Sequence, residues 1–369
     1  DDLAENAIMM VDGGDGKINQ GDKILFYGRG PDQWKIHTQN NQFKRTKNPY
    51  SDTSYYFITT DLGVGKRIQG RNSSTLTPNF TLTTFNDFQI HEVDKITAIS
   101  KDVKSGRHWF GEDFEFQNEY SFDFNFPNLI TSTPLYIESD LVGRSDLITL
   151  TTQIKLNNAL IGNATTFPTS FAQYDSPFGS MGKFEKSSLS SIDNNKITIA
   201  HNKVKSDFNV WIDYVSVNAE RKLKMTNDQL LFRNKIAFVS GNIVNYIVEG
   251  PDKLEFWDVS DPVNVKKQLM SDDITNYDFT FITGSTHEFI AFNNKQYLSP
   301  INFGSVANQN LHNIGTTTMV IVAPTEFLPE AERLAQHRRN LNGFTVQIIN
   351  QQQLFNEFSS GSRDAGALR

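Results

Sequence analysis

Residues 114–126 read Phe114-Glu115-Phe116-Gln117-Asn118-Glu119-Tyr120-Ser121-Phe122-Asp123-Phe124-Asn125-Phe126, and they decide the fold class. Phe114, Phe116, Phe122, Phe124 and Phe126 all fall on even positions, with Glu115, Asp123 and Asn125 between them. A period of two sends alternate side chains to opposite faces of a strand, one buried and one wet. Related segments follow at residues 147–156, 208–217, 243–248, 254–259, 277–283 and 288–292. Several antiparallel strands joined by polar connections predict a β-sandwich of jelly-roll or Greek-key type over residues 113–315. The Ser-, Phe- and Gly-containing stretch from Asn163 to Ser191 reads as a long loop over one end.

Upstream, residues 1–112 show short strands divided by turns and read as a first β domain. Lys23 to Tyr27 precedes Gly28-Arg29-Gly30-Pro31, and Ser54 to Thr60 precedes Asp61-Leu62-Gly63; Phe80 to Phe85 and Phe88 to Val93 continue the theme. Downstream of about residue 316 the grammar changes. Thr316 to Ala323 is a continuous apolar strand, Pro329 opens a helix with Ala331, Leu334, Ala335 and Leu341 on one face, Gly343 stands at its C-cap, and Phe344 to Asn350 is a second strand. A β-α-β unit of this kind predicts parallel strands. Asp364 sits where another helix would start, five residues before Arg369. Residues 316–369 are therefore expected to be the truncated start of an α/β domain, and the chain a fragment of a longer protein.

Composition narrows the function classes. The chain has 369 residues, 38% of them hydrophobic and 21% charged, enough to bury a core. Its net charge of −7 argues against nucleic acid as a partner, since phosphate binding needs a basic field. There are 0 cysteines, so these residues offer no disulfide, thiolate metal site or thiol nucleophile. The 29 Phe, with abundant Asn and Thr, suit an extracytoplasmic β protein. No apolar run is long enough to span a membrane.

One local constellation could hold an ion. Asp12-Gly13-Gly14-Asp15-Gly16-Lys17-Ile18-Asn19-Gln20-Gly21-Asp22 places Asp12, Asp15, Asn19 and Asp22 as candidate calcium ligands, because calcium takes six to eight hard oxygens from a Gly-bent loop. The spacing is one residue short of the twelve-residue pattern, and the same residues serve a metal-free turn. The histidines 37, 91, 108, 201, 287, 312 and 337 show no helical pairing that would build a zinc site. Gly63-Val64-Gly65-Lys66-Arg67 lacks the first glycine of a phosphate loop and reads as a turn. Glu112, Asp113 and Glu115 read as a solvated strand edge rather than an acid/base pair. Of the tryptophans, Trp211 and Trp257 read as core, while Trp34 and Trp109 lie near turns and stay open between core and a stacking platform.

The run Met319-Val320-Ile321-Val322-Ala323-Pro324, the helix from Pro329 to Asn342, Gly343-Phe344-Thr345-Val346, and Asn356-Glu357-Phe358-Ser359-Ser360-Gly361 with Asp364 and Ala367-Leu368-Arg369 resemble the opening of a gingipain-type cysteine peptidase domain. Upstream, Asp22 to Gly28, Ser105-Gly106-Arg107-His108-Trp109-Phe110-Gly111-Glu112, Ile212-Asp213-Tyr214 through Arg221, and Phe256 to Pro262 resemble the β-rich N-terminal region of the gingipain-like sortases of the type IX secretion system. The resemblance implies a caspase-like fold for the last segment. It implies a parent cysteine endopeptidase at the outer membrane and cell surface of Bacteroidetes, which removes C-terminal sorting domains from secreted cargo, with cargo proteins and outer-membrane secretion components as partners. No position here matches the family's catalytic His and Cys, and His337 on the first helix is not promoted to that role. A non-catalytic region of a type IX peptidase is the expected function; the alternative is a β-sandwich adhesion module that binds carbohydrate or protein. Within the first reading, the β region is either a scaffold or a pro-segment that occludes the peptidase.

Overall fold

The structure is a computed structural model and describes residues 3–37, 39–97, 109–172, 177–270, 277–284, 287–293 and 297–368. Ser105, Gly106, Arg107 and His108 of the quoted motif lie outside them, as does Arg369. The fold is mainly β, with antiparallel sheets followed by a short α/β segment, as the sequence patterning implies.

The centre of the molecule is an eight-stranded sandwich. Its strands are β1 (Thr84–Glu92), β2 (Glu119–Asn125), β3 (Leu135–Arg144), β4 (Leu150–Leu156), β5 (Ala159–Thr166), β6 (Ser180–Ser188), β7 (Asn194–Ala200) and β8 (Asn209–Lys222). One sheet runs β2-β7-β4-β5 and the other β6-β3-β8-β1. The pairings β1·β8, β2·β7, β3·β6 and β4·β5 are those of a long ribbon doubled back on itself and then rolled, which is a jelly roll. The doubling point is Asn157-Asn158, both with positive φ (49° and 70°), as a tight hairpin turn between right-twisted strands requires. Between the sheets lies an aliphatic core that includes Ile137, Leu141, Ile154, Ile197, Ile199 and Ile212, all 0% exposed.

Phe114, Phe124 and Phe126 join this core, but Phe116 is 96% exposed. The even-position stripe breaks there because residues 114–118 leave the ladder and only Glu119–Asn125 is strand. The stretch Asn163–Ser191, expected as a loop, contains the end of β5 and all of β6, with Ala164 and Phe184 in the jelly-roll core, and a connection between the two strands.

A second sandwich follows. Its five-stranded sheet runs Gln229–Phe232, Phe289–Asn293, Leu254–Asp258, Lys266–Gln268, Gln69–Arg71, and its three-stranded sheet runs Tyr277–Ile282, Ile243–Val248, Phe80–Leu82. The two strands from residues 69–82 are borrowed, and each pairs parallel at its sheet edge. The chain then crosses within two residues to β1 of the jelly roll. The division expected at residue 112 therefore cuts through shared sheets. Among the described residues of this region, Leu25, Leu82 and Phe85 are buried in clusters shared with later segments, while Ile8–Val11 with Lys23–Phe26 and Gln33–His37 with Gln42–Thr46 pair as local hairpins. Residues 54–60, expected as a strand, find no ladder, and Ile58 is 80% exposed.

In the last segment Met319–Ala323 and Val346–Asn350 pair in parallel, joined by α1 (Leu328–Asn342). Gly343 adopts φ 64° and its N–H donates to Arg339 O, the left-handed cap that glycine favours. Only Ala331 and Ala335 of the expected apolar face are buried; Leu334 and Leu341 are 42% and 67% exposed. A second helix, α2 (Gln351–Phe358), precedes the turn at Asp364. Its signal was present: Asn350 caps it by accepting from Gln352 N at 2.8 Å, and Leu354, Phe355 and Phe358 share one face. Among the described residues no helix is long and apolar enough to cross a membrane.

Candidate functional site

The four calcium candidates sit at the tip of a hairpin formed by Ile8–Val11 and Lys23–Phe26. Four of their carboxylate oxygens accept hydrogen bonds from the loop itself. Asp12 Oδ1 accepts from Gly14 N at 3.0 Å, Asp15 Oδ1 from Lys17 N at 2.8 Å, Asp15 Oδ2 from Asn19 Nδ2 at 2.7 Å, and Asp22 Oδ2 from Asn19 N. Gly13, Gly14, Gly16 and Gly21 all have positive φ, which closes this turn on its own hydrogen bonds. Among the described residues, no three His, Asp or Glu side chains converge as metal ligands.

The histidines remain dispersed. His201 is buried beside Thr152, and burial holds its imidazole below the usual range. Glu112 is not a solvated edge: its carboxylate accepts from His91 Nε2 at 3.0 Å, and although burial pushes its carboxyl up, the His91 contact brings it below the ordinary value. Asp113 bridges to Trp211, and Glu115 pairs with Lys203 at 2.9 Å. Trp257 is 3% exposed, Trp34 packs against Phe43, and Trp211 packs against Phe178. Trp109 is 42% exposed and stands at the rim of a cleft.

That cleft has a volume of about 780 Å³ and is lined by charged and aromatic side chains. Its floor is the outer face of the β6-β3-β8-β1 sheet, and its opposite wall is the strand Gln42–Thr46 with the segment that continues to Asp52. The floor owes its chemistry to a β-bulge. Asp140 pairs with Tyr214 but Leu141 pairs with Ile212, so Asp213 is the extra residue. Ile212 and Val215 are both 0% exposed in the jelly-roll core although three positions apart. Asp213 and Tyr214 consequently both face outward and line the cleft. The sequence carries this signal: Phe208, Val210 and Ile212 are even, while Val215, Val217 and Ala219 are odd, and the phase changes at the bulge.

Opposite charges meet across the cleft. Lys44 Nζ lies 2.6 Å from Glu138 Oε1, which also accepts from Tyr214 OH at 2.8 Å. Arg45 pairs with Glu92 and, at 3.2 Å, with Asp32; Lys47 pairs with Asp94 and, at 3.2 Å, with Glu92. Burial would lower Lys47, but its contacts with Asp94 and Glu92 raise it above the ordinary value. Asp213 is pushed up to about 7, first by burial and then by Glu92, Asp140 and Asp94, with Lys47 opposing. Burial also raises Asp140, against the pull of Lys183. A carboxyl poised near neutrality in an open cleft can exchange a proton or meet a cation. None of these residues formed a local motif, since they come from segments 44–52, 92–94, 138–140 and 213–214.

The hairpin Gln33–His37/Gln42–Thr46 is pinned over the sheet. Phe43 N donates to Asn218 Oδ1 at 2.8 Å and Asn218 Nδ2 donates to Phe43 O at 3.1 Å, both in buried surroundings. The cleft wall is therefore held by backbone as well as by charge.

Two comparisons with known proteins bear on this architecture. Residues 312–369, which include the α/β segment, match the model of peptidase family C25. Among solved structures, the fold of the whole chain is that of dimeric latent PorU from Porphyromonas gingivalis, with a TM-score of 0.81, 21% identity, and coverage of 100% of this chain and 34% of that one. The chain thus spans about a third of the length of that relative. The CBM36-1 domain of a multidomain xylanase from the hindgut metagenome of Trinervitermes trinervoides matches at a TM-score of only 0.22, with 12% identity over 36% of this chain and 96% of its own. A comparison with curated proteins returned no match.

Proposed function

We propose that the chain is the non-catalytic, β-rich N-terminal region of a gingipain-like cysteine endopeptidase that acts in type IX secretion, where the parent enzyme removes C-terminal sorting domains from secreted cargo at the cell surface. The observation that carries this reading is the coincidence of two independent likenesses: a C25 match confined to residues 312–369 and a PorU-like fold over the entire chain. A peptidase of this class works through a thiolate, and these residues contain 0 cysteines. Their role is support of the peptidase and contact with cargo or with an outer-membrane partner.

The support role has a physical basis. Glu357 of α2 accepts from Leu311 N at 2.7 Å, His312 N at 3.0 Å, His312 Nδ1 at 2.6 Å and Gln309 Nε2 at 2.9 Å, tying the connection from the second sandwich onto the α/β segment. Tyr55 packs on Gly361 and on Phe303, so the N-terminal region also touches the C25-like segment. The test joins the chain to its downstream peptidase sequence. Thiol-dependent endopeptidase activity is expected in the joined protein and none in the 369-residue chain; activity that survives alkylation of every thiol would overturn the reading.

A further inference from the structure

We infer that residues 54–60 are a docking strand for peptidase sequence that follows the C25-like segment in the parent protein. The inference rests on the reading above and adds to it the surface on which the β region receives the peptidase. Ser54-Tyr55-Tyr56-Phe57-Ile58-Thr59-Thr60 combines aromatic and β-branched residues, the composition of a pleated strand. Among the described residues, however, no strand pairs with it. A segment with strand chemistry and no ladder is suited to accept one from another element, because its backbone groups are free to form the hydrogen bonds of an added strand.

The side chains point to the same use. Phe57 and Ile58 are 40% and 80% exposed, and Ile301 and Phe303, on the connection that leads into the C25-like segment, are 79% and 73% exposed. Tyr55 joins the two stretches, its ring centroid 5.6 Å from that of Phe303. Apolar side chains exposed side by side mark an interaction surface rather than the scattered exposure common to all proteins. The strand is also held in place: Arg29 N donates to Tyr56 OH at 2.7 Å, Tyr56 OH donates to Arg29 O at 3.2 Å, and the Tyr56 ring packs on Phe26. A surface fixed in advance loses little freedom on docking.

The occupant follows from the contact this patch already makes. Gly361 is buried, and a Cβ there would stand 3.1 Å from Tyr55 Cβ and 3.5 Å from Phe57 Cζ; Ser362 Oγ donates to Thr53 O at 3.4 Å. The C25-like segment is thus seated on one side of the docking strand, and Ile58, Ile301 and Phe303 continue that interface outward. The segment also needs cover of its own. Its parallel sheet has two strands, with Val320 46% exposed, whereas parallel sheets are covered on both faces by the rest of an α/β domain. Further peptidase elements that complete this sheet beside Gly361 meet the patch.

Hydrogen exchange tests the inference by comparing the 369-residue chain with the same chain joined to its downstream peptidase sequence. Amides of residues 55–60 are expected to exchange at least about tenfold more slowly in the joined protein. Hydroxyl-radical labelling of Ile301 and Phe303 should fall with them. Ile58→Asp, at a site exposed in the chain, should return exchange of residues 55–60 to the rate of the chain alone, while the melting of the 369-residue chain is unchanged. The wild-type comparison decides by itself if the joined variant does not fold. Equal exchange in both proteins, protection that Ile58→Asp leaves intact, or protection in the 369-residue chain that is lost on dilution and so reports a second copy would each overturn the inference. Thiol-dependent activity without protection of residues 55–60 would overturn it and leave the peptidase reading standing. Protection without such activity would uphold the docking strand and overturn the peptidase reading.

Discussion

The two sandwiches solve the same packing problem with different side chains. The jelly roll buries chiefly Ile, Leu and Val between two four-stranded sheets. The second sandwich is built around rings: Phe289 contacts Phe232, Phe279 and Phe281 at centroid distances of 5.6, 5.0 and 5.1 Å, and Tyr246 at 5.7 Å. The jelly roll owns seven consecutive strands and takes one from upstream, whereas the second sandwich borrows an edge strand in each of its sheets. Aliphatic side chains interdigitate along self-contained ladders. Rings interlock as a cluster, and the borrowed strands then need separate fastening.

The sharpest test of that contrast is Phe289→Ala beside Phe124→Ala. Both side chains are buried, at 0% and 3% exposure, and each truncation is expected to cost about 3–5 kcal/mol in denaturant unfolding. Phe289 should lose about 1 kcal/mol more, because its edge and face contacts vanish with the ring. Equal losses would break the comparison.

Arg71 fastens the borrowed strand Gln69–Arg71. Its NH1 pairs with Asp258, its Nε and NH2 donate to Gln268 Oε1 at 3.0 and 2.9 Å, and its guanidinium lies 5.4 Å from the Phe289 ring centroid. Arg71→Ala leaves Asp258, whose side chain is 10% exposed, without this cation and is expected to cost about 2–3 kcal/mol. Hydrogen exchange should quicken in Lys266–Gln268 and leave β2-β7-β4-β5 unchanged. Arg71→Lys keeps the charge but loses the fork to Gln268, so it should rescue only part of the loss. Acceleration spread evenly over both sandwiches would mean that they are one cooperative unit.

The contrast also explains what could be read in advance. Period-two runs such as Ile243–Val248 and Leu254–Asp258 appear as strands with nearly the expected limits, because alternation is local. Which strands pair is not local: Gln69–Arg71 meets Lys266–Gln268 across almost 200 positions, and nothing in Gln-Gly-Arg announces it. The β-α-β segment was legible down to the Gly343 cap because its partners are neighbours in sequence. The cleft was not, since four separate segments build it and the one local clue, the change of apolar phase after Ile212, marks a bulge rather than a ligand.

A smaller effect separates the β region from the C25-like segment. Burial works against the Glu357 carboxyl, but Gln309, Leu311 and His312 hold it down at about 2. A carboxylate depressed in the folded state contributes stability that is present above its unfolded value, near 4.5, and is lost as pH falls towards about 2. The α/β segment should therefore loosen in that acid window. Glu357→Gln should remove the pH dependence and lower the neutral-pH melting temperature of that segment, read by exchange in α2. An unchanged acid profile in the variant would mean that other carboxylates anchor the connection.

The smallest expected effect compares two backbone devices with positive φ. Gly343, at 64°, ends α1 where a Cβ would meet no atom within 4 Å, so Gly343→Ala pays for conformation alone, about 1 kcal/mol. Asn158, at 70° in the β4–β5 turn, already tolerates this conformation through its side chain, and Asn158→Gly should change stability by only about a few tenths of a kcal/mol. The two substitutions run in opposite directions, toward and away from a Cβ, and report on the C25-like segment and on the jelly roll. A Gly343→Ala loss well above about 1 kcal/mol would mean that the cap also positions Val346–Asn350 against Met319–Ala323, and that the C25-like segment depends on its helix terminus more than the jelly roll depends on its hairpin.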